Sequence, residues 1–381
     1  MNRLTIAAFI IACMAIAAGC GNKSTTAAST TNPVFSRISG SSTFTLFSTA
    51  SGDQMGGNIQ KGPFAFKQNN YSTVISPVFR NVSGAIFNGP IAATTYGSGH
   101  YVVNFLSHNI LKVDSAGAVI NFAGLGIAGF ANNSTSRKAI FNSPSAISTD
   151  GGALYIADTG NNAIRKIAID GTVSLLAGVA GTAGSEDTDT SLAVVAKFNQ
   201  PTGVTVVGTN VFVADYNNHT IRMIDTTTAV GTVTTFAGYP GVAGSNDGDR
   251  TAARFNHPGR ITSDGKYLYV TDFGNRTVRR ISLKNGAVDT IAGRAGVSGI
   301  TNGAKGTSLF RQPNGIATDG VNVYVTDAFE GTGNIRRIEL KSGLFNTTTV
   351  MDGFKTPIGI TTNGSGLFIT DRESGSIIRI K

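Results

Sequence analysis

The opening F-x-x-P recurs along this chain at Phe87, Phe141, Phe198, Phe255, Phe310 and Phe354, at intervals of 54, 57, 57, 55 and 44 residues. A repeat of this length constrains the fold more than any single motif, because each copy must be one supersecondary unit that stacks on its neighbours. The copy at 141–178 divides into four short apolar runs, at 146–147, 154–157, 164–167 and 173–177. Each run is of strand length and rich in β-branched residues, and the gaps between them carry Gly, Asn and Asp, the residues of tight turns. Four consecutive strands form an antiparallel meander, which buries both faces only when further copies pack against it.

Two further marks keep the copies in register. The second run ends in an acidic or amide residue, at Asn104, Asp158, Asp215, Asp272, Asp327 and Asp371, and the third reads I-L-K-V, I-R-K-I, I-R-M-I, V-R-R-I, I-R-R-I and I-I-R-I. In the first four copies the fourth run closes on Ala-Gly, at Gly124, Gly178, Gly238 and Gly293. Tyr155-Ile156-Ala157-Asp158, followed by Asn161 and Ile164-Arg165, resembles the NHL-repeat family, whose units pair a Y-V-A-D strand end with N-x-x-I-R. The resemblance runs from about residue 86 to residue 381 and implies an all-β fold, a six-bladed β-propeller of four-stranded antiparallel blades. It does not choose a function, because NHL propellers bind RNA, proteins or peptides and a few relatives are enzymes. Forty-eight glycines and no tryptophan suit a ring of tight turns and small inward-facing side chains.

The chain starts Met1-Asn2-Arg3, continues with an apolar run over 4–18 and reaches Gly19-Cys20. A charged start, a short apolar core and small residues before a cut describe a signal peptide over 1–19, not a stable membrane span. Ala17-Ala18-Gly19-Cys20 resembles a bacterial lipobox, with Ala17 where that family usually has Leu. The resemblance implies that Cys20 is acylated, becomes the first mature residue and holds the protein to a membrane. The other cysteine, Cys13, falls inside the leader, so such a mature chain has no free thiol, and disulfide, thiolate and c-type haem chemistry are excluded. Residues 20–35, dominated by Ser, Thr, Ala and Asn, read as the lipidated Cys and a flexible tether. Gly21 stands where an inner-membrane retention signal often has Asp, so the resemblance points to an exported outer-membrane lipoprotein, on the periplasmic or the cell-surface side.

Residues 36–85 complete no copy, and the last copy ends after its third run, at Ile380. A propeller with an incomplete last blade takes the missing outer strand from the other end of the chain, which leaves no open edge. Residues 73–80 are the expected closing strand of this amino-terminal extension, with 44–48 as the alternative, ahead of a propeller over 86–381. The head is expected to be monomeric.

Asp158 with Arg165, Asp215 with Arg222, Asp272 with Arg279 and Asp327 with Arg336 recur at the same places in four copies. A pair repeated around a ring is expected to be scaffold, since a strand-end carboxylate readily accepts turn N–H groups and catalysis needs asymmetry. The unequal positions are better candidates. Phe105, Tyr216 and Phe273 follow the strand-end residue in copies one, three and four, with His108, His219 and Arg276 three residues further on, whereas copies two, five and six carry Thr159, Ala328 and Arg372. Rings beside imidazole and cationic groups suit a partner-binding patch for an anionic glycan or an acidic protein, as does the formal net charge of +9.

Enzymatic readings need a metal, a nucleophile or an acid–base pair. The positions one past each proline, Ile91, Ser145, Thr202, Gly259, Asn314 and Ile358, are taken to face the tunnel, and none is acidic. No central calcium is therefore expected. Of His100, His108, His219 and His257 only His100 and His108 have ligand spacing, and these fall on opposite sides of a strand pair, so no metal and no cofactor is expected. The blade-to-blade links at 179–197 and 239–254 carry acidic clusters, Glu186-Asp187-Thr188-Asp189 and Asn246-Asp247-Gly248-Asp249, which read as solvated turns. Gly124-Leu125-Gly126 precedes no helix, which removes a nucleotide-binding reading. The leader argues against nucleic acid as a partner. The reading that results is an exported, membrane-anchored, non-enzymatic binding or scaffold module for an envelope or surface protein or glycan. The alternative is a lyase or hydrolase with its site at the top of the central tunnel.

Overall fold

Runs of five to eight apolar and β-branched residues stopped by Gly, Asn or Asp become strands here, as in the third copy. Its strands are Pro201–Val207, Asn210–Asp215, Thr220–Asp225 and Thr232–Gly238, each antiparallel to the one before. The computed structural model describes residues 77–79, 87–97, 99–114, 117–188, 195–227, 231–364 and 366–380. Cys20, the leader, the tether and the alternative closing strand at 44–48 lie outside these residues.

Six such sheets form the blades of a propeller, numbered 1 to 6 in chain order from the strand Pro90–Tyr96. The inner strands of successive blades touch around a common axis, and Pro357–Thr362 of blade 6 touches Pro90–Tyr96 of blade 1, which closes the ring. Blade 6 takes three strands from the end of the chain. Its outer strand is Pro77–Phe79, antiparallel to Ser376–Ile380, with Pro77 opposite Ile378. These three residues fall within 73–80, and the rest of that segment lies outside the described residues. Blade 4 gains a fifth strand when the link residues Gly248–Asp249 pair with its outer strand Ala287–Gly293. Such link pairing covers an edge that would otherwise offer unpaired N–H and C=O groups.

The core lies between blades. Every residue of the second strands Ala153–Asp158 and Gly99–Asn104 is buried, since both faces of these strands meet neighbouring sheets. Between blades 2 and 3, Tyr155, Ala157 and Ile164 pack with Phe198, Val204, Val213 and Ile224. The phenylalanine that opens each unit is the plug of this layer: Phe141, Phe198, Phe255 and Phe310 are fully buried. Burial of a ring that size stabilises by about 2–3 kcal/mol, which gives the F-x-x-P opening a structural reason. Among the described residues no helix is long and apolar enough to cross a membrane.

Candidate functional site

The strand-end carboxylates and strand-three arginines form a staple inside each of blades 2 to 5. In blade 3 the Asp215 carboxylate accepts the Asn199 N–H at 2.8 Å, the Asn218 amide at 2.7 Å and Arg222 Nη1 at 2.9 Å. Arg222 goes on to donate to the carbonyls of Lys197 at 2.9 Å and Glu186 at 2.8 Å, and it lies 5.3 Å from the centre of the Phe198 ring. Both side chains of the pair are fully buried. Burial pushes the Asp215 carboxyl up to about 6, against the pull of Arg222 and the donated hydrogen bonds, so it is ionised at neutral pH. Asp158 with Arg165 and Asp272 with Arg279 repeat the ion pair at 2.9 and 2.8 Å, and Asp327 with Arg336 spans 3.5 Å. The arginine ties strand two, strand three and the incoming link together, as expected of scaffold. Blades 1 and 6 lack it: Asn104 is paired in sequence with Leu111, and Asp371 with Ile378.

The acidic link clusters correct the expectation of solvated turns. Asp187 accepts Arg222 Nη2 at 2.6 Å and the Thr235 hydroxyl at 3.0 Å, and Asp247 accepts Arg279 Nη2 and the Thr290 hydroxyl, both at 2.8 Å. Each carboxylate is partly exposed yet joins a buried guanidinium to the outer strand. Asn302 does the same in blade 5, accepting from Arg336 Nη2 at 3.1 Å and from the Thr349 N–H at 2.9 Å.

The face that carries the turns between second and third strands is the top. Each of these turns in blades 1 to 4 is a short 3₁₀ segment followed by a left-handed residue, His108, Asn162, His219 or Arg276, with φ of 50°, 52°, 59° and 58°. The left-handed bend throws each side chain toward the next blade. His108 Nδ1 accepts the Ser143 N–H at 2.9 Å, Asn162 Oδ1 the Gln200 N–H at 2.8 Å and His219 Nδ1 the His257 N–H at 3.1 Å. Arg276 reverses the polarity, its Nε donating to the Arg311 carbonyl at 3.1 Å. The His257 ring packs edge-on to His219 at 4.5 Å and lies 4.6 Å from Tyr216. Burial, and then the neighbouring His219, hold His257 down at about 4, and burial alone lowers His108 and His219. Of the six rim residues, Tyr216 is buried, Phe273 is half-buried 6.4 Å from it, and Phe105 is half-buried in blade 1. The rim therefore brings Tyr216, His219 and Phe273 together at the junction of blades 3 and 4, with Phe105 and His108 apart from them.

Sequence reasoning missed the apolar tips of the links. Just after the Ala-Gly that ends an outer strand, Leu125, Ile127, Tyr239, Val242 and Val297 stand between 36% and 54% exposed. The second glycine of three links, Gly181, Gly241 and Gly296, donates its N–H to the carbonyl of Asn161, Asn218 or Asn275. That bond folds the tip over the top turn, on the same face as Phe105 and Phe273. The signal was present in the sequence, where apolar residues such as Leu125, Tyr239, Val242 and Val297 stand directly beside the turn glycines of these links.

The tunnel positions also correct an expectation. One residue past the proline, the Ser145 hydroxyl donates to Thr202 O at 3.2 Å and the Thr202 hydroxyl to Gly259 O at 2.8 Å, so these side chains turn to the next blade rather than to the axis. The cause is a bulge directly after the proline in all six inner strands, which re-aims side chains. The next position is Ala92, Ala146, Gly203, Arg260, Gly315 and Gly359. A Cβ on Gly203 would meet Gly259 O at 2.7 Å, because adjacent inner strands touch there. Arg260 alone is large, and its guanidinium crosses the axis: Nη1 donates to the carbonyls of Ser145 and, at 2.5 Å, Thr202, while Nη2 lies 3.4 Å from Ile91 O. Below it a cavity of about 1110 Å³ runs to the hairpin turns at Gly97, Gly151, Gly208, Gly265 and Gly364.

Comparison with known proteins agrees with this geometry. The NHL repeat family model matches residues 198–222. NHL repeat-containing protein 2 of Homo sapiens is 27% identical over 265 residues, covering 64% of this chain and 36% of its own length. Its counterpart in Gallus gallus is 25% identical over 304 residues, 71% of this chain and 41% of its own. The chain thus spans less than half the length of these relatives. Among solved structures, an auxiliary nutrient binding protein from Bacteroides thetaiotaomicron superposes with a TM-score of 0.56 at 14% identity, over 78% of this chain and 69% of that one. A catalytically inactive virginiamycin B lyase from Staphylococcus aureus, solved with quinupristin, gives 0.50 at 16% identity, over 79% and 83%. At such identities these likenesses concern the fold alone.

Proposed function

Starting from a chain that is an NHL-repeat six-bladed β-propeller, we propose that it is a non-catalytic binding module, exported and held to a bacterial outer membrane through acylated Cys20, that engages an envelope or surface partner with its top face. The observation that carries this reading is the row of exposed apolar tips, Leu125, Ile127, Tyr239, Val242 and Val297, held over blades 1, 3 and 4 by backbone hydrogen bonds. Apolar side chains presented at fixed positions on a rigid frame need little ordering on binding, so contact area converts well into affinity. Beside them the half-buried Phe105 and Phe273 extend the surface, with His108, His219 and Arg276 holding the turns in place and Tyr216 supporting them from beneath. The strand-end carboxylates on this face are engaged by N–H donors and arginine, and His108 and His219 each use Nδ1 to accept an N–H of the next blade. A lyase or hydrolase working from the top of the tunnel would meet Arg260 a short way down.

The test uses the full chain as bait on detergent-solubilised envelope, compared with Tyr239→Ser combined with Val242→Ser. Binding of the captured partner is expected to fall about tenfold or more, since central anchors carry roughly 2 kcal/mol or more, with the melting temperature unchanged. Equal capture by both proteins refutes the top-face reading.

A further inference from the structure

The inner strands hold two rows of hydroxyls, and the fold uses only one of them. Five residues past the proline, the hydroxyls close the bottom hairpins: Thr149 donates to Ala153 O, Ser263 to Tyr267 O and Thr318 to Asn322 O, each at 2.8 Å, and Thr95 bonds His100 Nδ1 at 3.1 Å. Four residues past the proline stand Thr94, Ser148, Thr205, Thr262 and Thr361, with Ala317 in blade 5. These five line the cavity and have no hydrogen bond from their hydroxyls to another described residue. Strand pairing and burial require nothing polar at these places, where valine has the same shape and a higher strand preference.

The cavity is also polarised along its length. Its inner end is the Arg260 guanidinium, positioned by neutral backbone carbonyls of blades 1, 2 and 3. Its mouth carries Asp150 and Asp319, whose carboxylates are fixed by turn N–H groups and by the hydroxyls of Tyr155 at 2.8 Å and Tyr324 at 3.1 Å. Between the two ends the wall is inner-strand backbone and the hydroxyl row, because Ile147, Val204, Ile261, Ile316 and Ile360 turn into the cores between blades. A volume of about 1110 Å³ lies just above the range of about 300–1,000 Å³ usual for small-molecule sites. It does not suit a protein segment with side chains on all sides.

We propose that this tunnel binds a small acidic sugar, with its carboxylate toward Arg260 and its hydroxyls on the Thr and Ser row. The Ile91 O contact of Nη2, at 3.4 Å, is the longest that Arg260 makes to the three carbonyls, so a carboxylate oxygen exchanges a weak bond to a neutral acceptor for one in which both partners are charged. The aspartates at the mouth favour one carboxylate over a polyanion. Hydroxyls in a ring match a polyol from several sides, which a single polar wall does not. The tunnel opens on the face opposite the link tips, and this inference stands apart from the top-face reading.

Calorimetric titration of the full-length chain with D-galacturonate, D-glucuronate and D-galactose tests it. One of the uronates is expected to bind about tenfold or more tightly than galactose, the difference being one charge-assisted contact. In Thr205→Val combined with Thr262→Val, uronate affinity is expected to fall about fivefold or more at an unchanged melting temperature, and Arg260→Gln should bring uronate down to galactose. Arg260 also bridges blades, so if that variant fails to fold, the hydroxyl variant and the galactose comparison decide. Absence of uronate binding, equal binding of galactose, or uronate affinity untouched by the hydroxyl variant overturns the proposal.

Discussion

Replacing Arg222 by Leu tests whether the staples hold the blades. The side chain is fully buried, pairs with Asp215 at 2.9 Å and bonds the link carbonyls of Lys197 and Glu186. Truncating one member of a buried ion pair costs about 3–5 kcal/mol, because the other charge is left desolvated without its counter-ion. Two link carbonyls lose donors at the same time, which places the expected loss toward the upper part of that range. Blade 1 supplies the control, since it carries Asn104 and Leu111 at these two positions and still forms its sheet. Asp215→Asn added to Arg222→Leu removes the stranded charge, so the double variant should be at least about 2 kcal/mol more stable than the sum of the single changes. The four proteins of the cycle are compared by urea midpoints and slopes. A loss below about 1 kcal/mol for Arg222→Leu, or a double variant that merely adds the two single effects, refutes the idea that the charged pair is an internal tie.

Three other outcomes follow from the same geometry. His100, buried against Phe368 of blade 6 at 4.4 Å, is held at about 4 by burial and then by Arg379, below the ordinary 6.5. Its contribution to stability is complete above the unfolded value of 6.5 and is lost as pH falls toward about 4, in all about 3 kcal/mol. His100→Phe should remove that slope, and the comparison must be between wild type and variant, because Asp158, Asp215 and Asp272, raised to about 6, gain protons on folding and act in the opposite direction. Deleting 73–80 should expose the edge at Ser376–Ile380 and bring aggregation or a broadened melt; an unchanged melt refutes the role of Pro77–Phe79. Cys20→Ser should move the protein out of membrane fractions, and continued sedimentation in high salt refutes acylation at that residue.

The number of blades and the scaffold role of the Asp–Arg pairs were legible because the residues that announce them act within one unit or its immediate link. Phe198, Asp215 and Arg222 lie close in sequence, and each has the same partner in every blade that carries it. What was not legible depends on backbone geometry or on distant partners. The bulge after each proline moved the axial position one residue on, so a series of small residues broken by Arg260 passed unnoticed, although Ala, Ala, Gly, Arg, Gly, Gly is visible once the right column is read. Asp187 read as solvated because its partners, Arg222 and Thr235, lie 35 and 48 residues away. The rim side chains read as outward-facing because nothing in a His or Arg announces a positive φ, and it is this φ that turns His108, His219 and Arg276 to the next blade.

The same comparison of columns explains why the ring changes its chemistry at one seam. Blades 2 to 5 each carry a buried guanidinium that ties strands to link, and the two blades that lack it, 1 and 6, are the two that meet where the chain closes on itself. Only Lys355 and Thr356 separate the outer strand of blade 5 from the inner strand of blade 6, and the outer strand of blade 6 comes from Pro77–Phe79. In blade 6 a strand-three arginine would lack the long link whose carbonyls the other blades supply, and a buried cation without acceptors is costly. Leu111 and Ile378 avoid that cost with apolar contact. The charge moves one position along, to Arg379, which lies 5.5 Å from the Phe368 ring, the same ring that His100 packs against. The seam therefore carries ring packing and one imidazole where blades 2 to 5 carry internal ion pairs, and protonation of His100 weakens it as pH falls toward about 4.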